Sequence, residues 1–119
     1  MSDEADSLRA LTTDIRDFAR EREWEQFHDP KSLILALTGE VGELAELFQW
    51  VPADDAVAQF RDPARKQRAG EEISDVLIYL LRLADVLGID VAAAARAKLA
   101  DSRRRFAAHE VSGVAPTKE

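Results

Sequence analysis

Apolar residues recur at three- and four-residue spacing along most of this chain, and four amphipathic helices account for them. Leu8, Leu11, Ile15 and Phe18 define the first, from about Asp6 to Glu23. A short connector, Trp24 to His28, leads to Asp29 and Pro30. Asp suits a helix cap and Pro the first helical position, so a second helix is predicted over Lys31 to Trp50, ended by Val51 and Pro52. After a connector from Val51 to Asp62, Asp62 and Pro63 repeat the start signal. The third helix runs to about Leu87, where Gly88 is a good terminator. Asp90 can cap a fourth, from Val91 to about Ala108. No segment shows the two-residue alternation of a strand. The expected fold is all-α and four-helix bundle-like, one domain over residues 1–109, with a flexible or extended tail at 110–119.

The third helix carries apolar residues on almost every face from Ile73 to Leu87. Such a helix is buried on several sides, and four short helices in one chain can hardly cover it. A homo-oligomer, dimer or tetramer, is therefore expected, with this helix near the interface.

Acidic residues interrupt the apolar stripes at matched places. Glu40 and Glu43 are three apart on the second helix, and Glu72 and Asp75 three apart on the third, so each pair projects from one face. On the helical wheel Glu40 falls between Leu47 and Leu33, inside the apolar arc, and Glu43 lies at its edge beside Ala36. Glu72 falls between Tyr79 and Leu83, and Asp75 at the edge near Arg82 and Val86. Glu46 falls well outside and is read as solvated. Burying an unpaired carboxylate costs several kcal/mol. Two readings satisfy these acids: salt bridges from neighbouring helices, or a shared cation. Oxygen-only donors favour Mg²⁺, Mn²⁺ or Ca²⁺ over zinc.

Composition narrows the function. Sixteen Lys and Arg against 23 Asp and Glu give a net charge of −7, which argues against binding a nucleic-acid polymer or an anionic membrane. It leaves room for a small phosphate ligand, because a divalent metal reverses the local sign. With no cysteine, thiolate metal sites and cysteine nucleophiles are excluded. The polar, acidic stretch from Ser2 to Ser7 shows no secretory signal, and the longest apolar run, Val76 to Leu81, is too short for a bilayer. A soluble, cytoplasmic protein is expected.

The segments Glu-Val-Gly-Glu-Leu-Ala-Glu-Leu-Phe-Gln-Trp (40–50) and Glu-Glu-Ile-Ser-Asp-Val-Leu-Ile-Tyr-Leu (71–80), with Trp-Glu-Gln-Phe-His (24–28) before them, resemble the signatures of the MazG-like all-α nucleotide pyrophosphohydrolases. The pattern is E-x-x-E, a spacer, then E-x-x-D, and the spacer here holds 28 residues. The resemblance covers roughly residues 8–109 and is greatest to the dCTP pyrophosphatase branch. It implies that Glu40, Glu43, Glu72 and Asp75 form the catalytic Mg²⁺ (or Mn²⁺) site. It also implies that (deoxy)nucleoside triphosphates, dCTP or modified dCTP in particular, are cleaved to monophosphate and pyrophosphate, and that sites form between subunits. Positions matching Trp24, His28, Trp50 and Tyr79 would line the nucleotide pocket. Each also has a plainer role: Trp24 as a core anchor, His28 as a helix-capping group, Trp50 as a helix-end aromatic and Tyr79 as a core contact. Lys98 and Arg103 are candidate phosphate ligands, although Arg103, Arg104 and Arg105 also suit the negative end of a helix dipole. Ser102 stands where related enzymes commonly carry Asn, a longer side chain with both a donor and an acceptor, which bears on substrate preference.

Two other functions compete. A di-iron carboxylate bundle wants Glu-x-x-His on two helices, and only Glu25 and His28 show that spacing. A non-catalytic helical nucleotide-binding or interaction module is the alternative, against which all four acids are intact.

Overall fold

A computed structural model of the chain describes residues 3–115, with side chains from Ser7 onward. Six α-helices follow in order: α1 (Asp3–Glu21), α2 (Pro30–Glu46), α3 (Ala56–Gln59), α4 (Pro63–Val86), α5 (Val91–Arg105) and α6 (Ala108–Val111). Among the described residues there is no strand, so the fold is all-α as expected. The start signals act as the sequence predicts. Asp29 accepts hydrogen bonds from the Ser32 N–H at 2.9 Å and its hydroxyl at 2.7 Å. Asp62 accepts from the Arg65 N–H and Asp90 from the Ala93 N–H. Pro63, like Pro30, occupies the first turn.

The ends differ more. The helix expected to reach Trp50 stops at Glu46. The next N–H groups, of Leu47 and Phe48, bond three residues back to Leu44 and Ala45, tightening the chain into turns. This turns the Phe48 ring onto that of Phe60, stacked with centroids 4.4 Å apart. The connector is partly helical, with a 3₁₀ turn at Ala53–Asp55 and then α3. α5 ends at Arg105 because Phe106 leaves helical geometry, and the single turn of α6 spans the boundary expected near residue 109. The rest of the expected tail, 116–119, lies outside the described residues.

Two helices close with the same pair of hydrogen bonds. At the end of α4 the Gly88 N–H reaches Asp85 and the Ile89 N–H reaches Ala84, with Gly88 at φ +70°. At the end of α1 the Glu23 N–H reaches Arg20 and the Trp24 N–H reaches Ala19, with Glu23 at φ +56°. The left-handed position belongs to glycine by preference. A glutamate there costs about 1 kcal/mol, and it sets the direction in which the chain enters Trp24.

α2 and α4 pack against each other, and α1 lies across α4 and α5. The α2–α4 pair is antiparallel: His28, just before α2, meets Arg82 late in α4, while Glu40 meets Glu72 earlier in α4. Leu33 and Leu81 are the largest side chains that are essentially fully buried. Most other buried apolar residues are alanines, so the core of a single chain is thin. Ile73, Ile78 and Leu80 on α4, Ile34, Leu35 and Val41 on α2, and Leu99 on α5 are exposed. The radius of gyration is 17.4 Å, against about 13.5 Å for a self-contained domain of this length. The chain is therefore open, with apolar surface on both long helices.

Candidate metal centre

Antiparallel pairing brings the two acidic segments face to face. One carboxylate oxygen from each of Glu40, Glu43 and Glu72 lies within 4.8 Å of the others. The apolar arcs that the wheel assigns to Glu40 and Glu72 are the faces along which α2 and α4 meet. Glu72 is 7% exposed and Glu40 half-buried, while Glu43, at the edge of its arc, is exposed. Asp75 does not join the tight group of three. It is a methylene shorter and starts about 4.5 Å further along α4, and its carboxylate is felt by Glu40 as a nearby charge.

The electrostatics of this cluster are unbalanced. Glu72 Oε1 accepts from Arg68 Nε at 3.2 Å. The second oxygens of Glu40 and Glu72 are buried with no hydrogen-bond partner. Buried polar atoms are nearly always paired, and two orphan carboxylate oxygens at one point are costly. Burial first, then a shared hydrogen bond with Glu43 and the charges of Glu43, Asp75 and Glu72, holds the Glu40 carboxyl above its ordinary range. A divalent cation would relieve every one of these strains at once, and the all-oxygen donor set fits a hard ion. Of the two readings open from sequence, salt bridges meet only one oxygen of Glu72.

The other predicted residues fall into three places. Trp50 stands 86% exposed over a cleft of about 380 Å³, lined with it by Leu47, Phe60, Arg65 and Arg68. Arg68 joins this cleft to the acids through Glu72. Tyr79 is half-buried on the Glu72 face of α4, two turns on, and its hydroxyl makes no hydrogen bond to a described residue. Trp24 is half-exposed, edge-on to Phe18 at 5.6 Å. His28 sits at a second cleft with Arg16, Glu25, Arg82 and Asp85. Its Nδ1 accepts from Arg82 Nε at 3.0 Å, so its contact is with an arginine of α4 rather than with the start of α2.

Lys98, Ser102 and Arg103 lie on α5, which packs on α1. Among the described residues no hydrogen bond or ion pair joins them to the acids. Arg104 and Arg105 pair with Asp101 at 3.2 Å each, which leaves Arg103 as the member of the arginine run with no such pairing. A further groove, of about 330 Å³ between α1 and the α4–α5 corner, is lined by Arg9–Asp90 and Arg16–Asp85 ion pairs. Those charges neutralise one another.

Arg68 and Arg82 were not singled out from sequence as site residues. Arg68 gives only the i,i+4 spacing to Glu72, one such pairing among 16 basic residues. Arg82 does: it is a cation inside the apolar run of α4, and it is 6% exposed.

The model of the MazG-like family matches residues 36–115. That span holds both acidic segments. The chain belongs to the MazG-like family. This MazG-like chain is 48% identical over 99 residues to dCTP pyrophosphatase 1 of Bos taurus, covering 83% of the chain and 59% of that protein. It is 50% identical over 93 residues to dCTP pyrophosphatase 1 of Homo sapiens, covering 78% and 55%. The chain thus spans rather more than half the length of the curated relatives it matches. A crystal structure of a pyrophosphatase from Archaeoglobus fulgidus superposes with a TM-score of 0.77 at 36% identity, covering 85% of this chain and 93% of that one. The match to the family model begins at residue 36, so Trp24 and His28 lie before it.

Proposed function

We propose that this chain hydrolyses (deoxy)nucleoside triphosphates to the monophosphate and pyrophosphate, with dCTP or a base-modified dCTP as substrate. The observation that carries the reading is the pair of orphan carboxylate oxygens on Glu40 and Glu72, in a chain about half identical to dCTP pyrophosphatases. In this reading Glu40, Glu43, Glu72 and Asp75 hold Mg²⁺, or Mn²⁺ in its place. Bound there, the cation offsets charge on the phosphate oxygens and the leaving pyrophosphate. Water attacks the α-phosphorus, and the bond from it to the α–β bridging oxygen breaks. Glu43 and Asp75, the exposed members of the set, face the side from which phosphates enter. Arg68 lies between Glu72 and the Trp50 cleft and adds positive charge beside the triphosphate. Trp24, Trp50 and Tyr79 supply flat surfaces for the base. His28 supplies a polar contact to the nucleotide.

Self-association belongs to the same reading. The thin core, the apolar outer faces of α2 and α4 and the open shape support a dimer or tetramer. Lys98, Ser102 and Arg103 then act at the acids of a second copy, since their own chain holds α5 against α1. No helix of the described residues is long and apolar enough to cross a membrane, and a cytoplasmic role in clearing the nucleotide pool is the setting we favour.

The test is pyrophosphate release across canonical and modified dNTPs and NTPs, with and without Mg²⁺. Metal-dependent turnover, greatest for a cytosine deoxynucleotide, is expected. No turnover of any triphosphate would make the chain a non-catalytic nucleotide-binding module. Light scattering at micromolar concentration checks assembly, and a pure monomer would remove the role given to Lys98, Ser102 and Arg103.

A further inference from the structure

The second cleft holds a chain of contacts that the acid cluster does not need. Arg82 is buried on α4, with its side chain 7% exposed. Its Nε–H donates to His28 Nδ1 at 3.0 Å and its Nη1 donates to Asp85 Oδ2 at 3.0 Å. Asp85 also takes a two-pronged contact from Arg16, Nε at 2.8 Å and Nη2 at 2.6 Å. The network therefore ties α1 and α4 to the connector that carries His28. A guanidinium is a donor only and stays charged, which constrains the imidazole. The nitrogen facing Arg82 must be an acceptor.

We infer that Arg82, held by Asp85 and Arg16, is a positioning residue that sets His28 as a neutral imidazole with its proton on Nε2. A proton on Nδ1 would put two N–H donors face to face. A doubly protonated ring would add a second cation beside a buried one. The charged groups around the ring are Arg16 from α1, Glu25 from the connector, and Arg82 and Asp85 from α4. Two arginines against Asp85 leave Glu25 as the balancing charge at this cleft among the described residues, and Glu25 also pairs with Arg20 at 3.5 Å. Burial first, then Arg82, pulls the His28 pKa below its ordinary value, with Glu25 opposing. What remains is a fixed Nε2–H donor, uncharged at neutral pH and suited to an acceptor atom of the nucleotide. This last step rests on the reading of His28 as a nucleotide contact. The tautomer does not.

The chain has two histidines, and the other, His109, has its side chain 82% exposed. Long-range ¹H–¹⁵N correlation spectra of the intact protein therefore report His28 against an internal reference. Expected are the nitrogen shifts of an Nε2–H imidazole, and protonation below the ordinary histidine value of 6.5. An Nδ1–H pattern, or protonation at or above that value, overturns the inference with no variant needed. In Arg82→Met the His28 pKa should rise and the tautomers mix. The KM for dCTP should increase roughly threefold to tenfold, the worth of one hydrogen bond, with kcat nearly unchanged and partial recovery in Arg82→Lys. If the wild-type spectrum is as expected but His28→Ala leaves KM unchanged, the nucleotide contact is wrong and the tautomer stands. The spectra decide even for a protein that turns over no triphosphate.

Discussion

Helix α4 carries two acids in opposite circumstances, Glu72 buried and Asp85 partly buried. Near its start Glu72 meets Glu40 and Glu43, with one oxygen accepting from an exposed arginine and the other meeting no donor among the described residues. Near its end Asp85 is saturated: two contacts from Arg16, one from Arg82, and a carboxyl held below its ordinary range, chiefly by Arg16. The first group is assembled so that its charges conflict; the second so that they cancel. A buried carboxylate without donors points to a ligand, and one with every oxygen engaged points to architecture. Both lie on one helix, so burial and residue type alone do not separate them. Hydrogen-bond accounting does.

The largest effect expected from this contrast is on turnover. In the proposed reading, Glu43→Gln or Asp75→Asn should lower Mg²⁺-dependent pyrophosphate release by about a hundredfold or more, since each would withdraw a charged donor from the cation. The circular dichroism spectrum should stay helical, because both side chains are exposed. Retained activity in either variant would mean that the cation is held elsewhere.

Stability should then move in opposite directions at the two acids. Asp85→Asn leaves buried Arg82 without its counter-charge, and losing charged hydrogen bonds at this partly buried pair costs about 2 kcal/mol. Glu40→Gln removes a charge that burial and Glu43 both disfavour, so the metal-free protein should melt a few degrees higher while losing most of the stabilisation by Mg²⁺. Thermal melts of the two variants with and without Mg²⁺ decide this. If Glu40→Gln melts lower in the absence of metal, the cluster is not strained.

The same asymmetry sets a pH dependence. Asp85 has a depressed folded pKa, so its contribution is present above the ordinary value of 3.8 and is lost as pH falls through the folded one. Glu40 has a raised folded pKa. Its penalty is absent below the ordinary 4.5 and grows as pH rises through the folded value. A bound cation cancels that penalty and displaces the proton. The rise in Tm caused by Mg²⁺ should therefore be larger above the raised folded value of Glu40 than below its ordinary 4.5. A rise that does not change with pH would place the metal away from Glu40.

Much of this was legible in the residues. Asp29, Asp62 and Asp90 announce three helix starts because a cap is a local interaction. The wheel placed Glu40 and Glu72 inside the apolar arcs and Glu43 and Asp75 at their edges, and burial follows that order. What the wheel could not give was which oxygen finds a donor, because that depends on the register between two helices. For the same reason the partner of His28 was not visible, whereas the Arg68–Glu72 contact is a local one, four residues apart on α4, that spacing allows without singling out. The early end of α2 escaped because Phe48 is drawn to Phe60, twelve residues on, by a stacking contact that no local pattern shows.

The smallest expected effect concerns Trp24, which the comparison leaves on neither side. It is not packed like Asp85: the ring is 45% exposed, touches Phe18 edge-on at 73°, and its indole N–H makes no hydrogen bond to a described residue. Phe18 also carries the Arg22 guanidinium 3.7 Å from its ring centroid. The strained Glu23 backbone immediately before Trp24 sets how the indole is presented, and strain of this kind collects at functional positions. Trp24→Ala should cost only about 1 kcal/mol of stability, the worth of one aromatic pair. Loss of base stacking should raise KM about tenfold, and Trp24→Phe should recover most of it. A large fall in Tm with KM unchanged would instead make Trp24 a packing residue, and the base would then have to rest on Trp50 and Tyr79 alone.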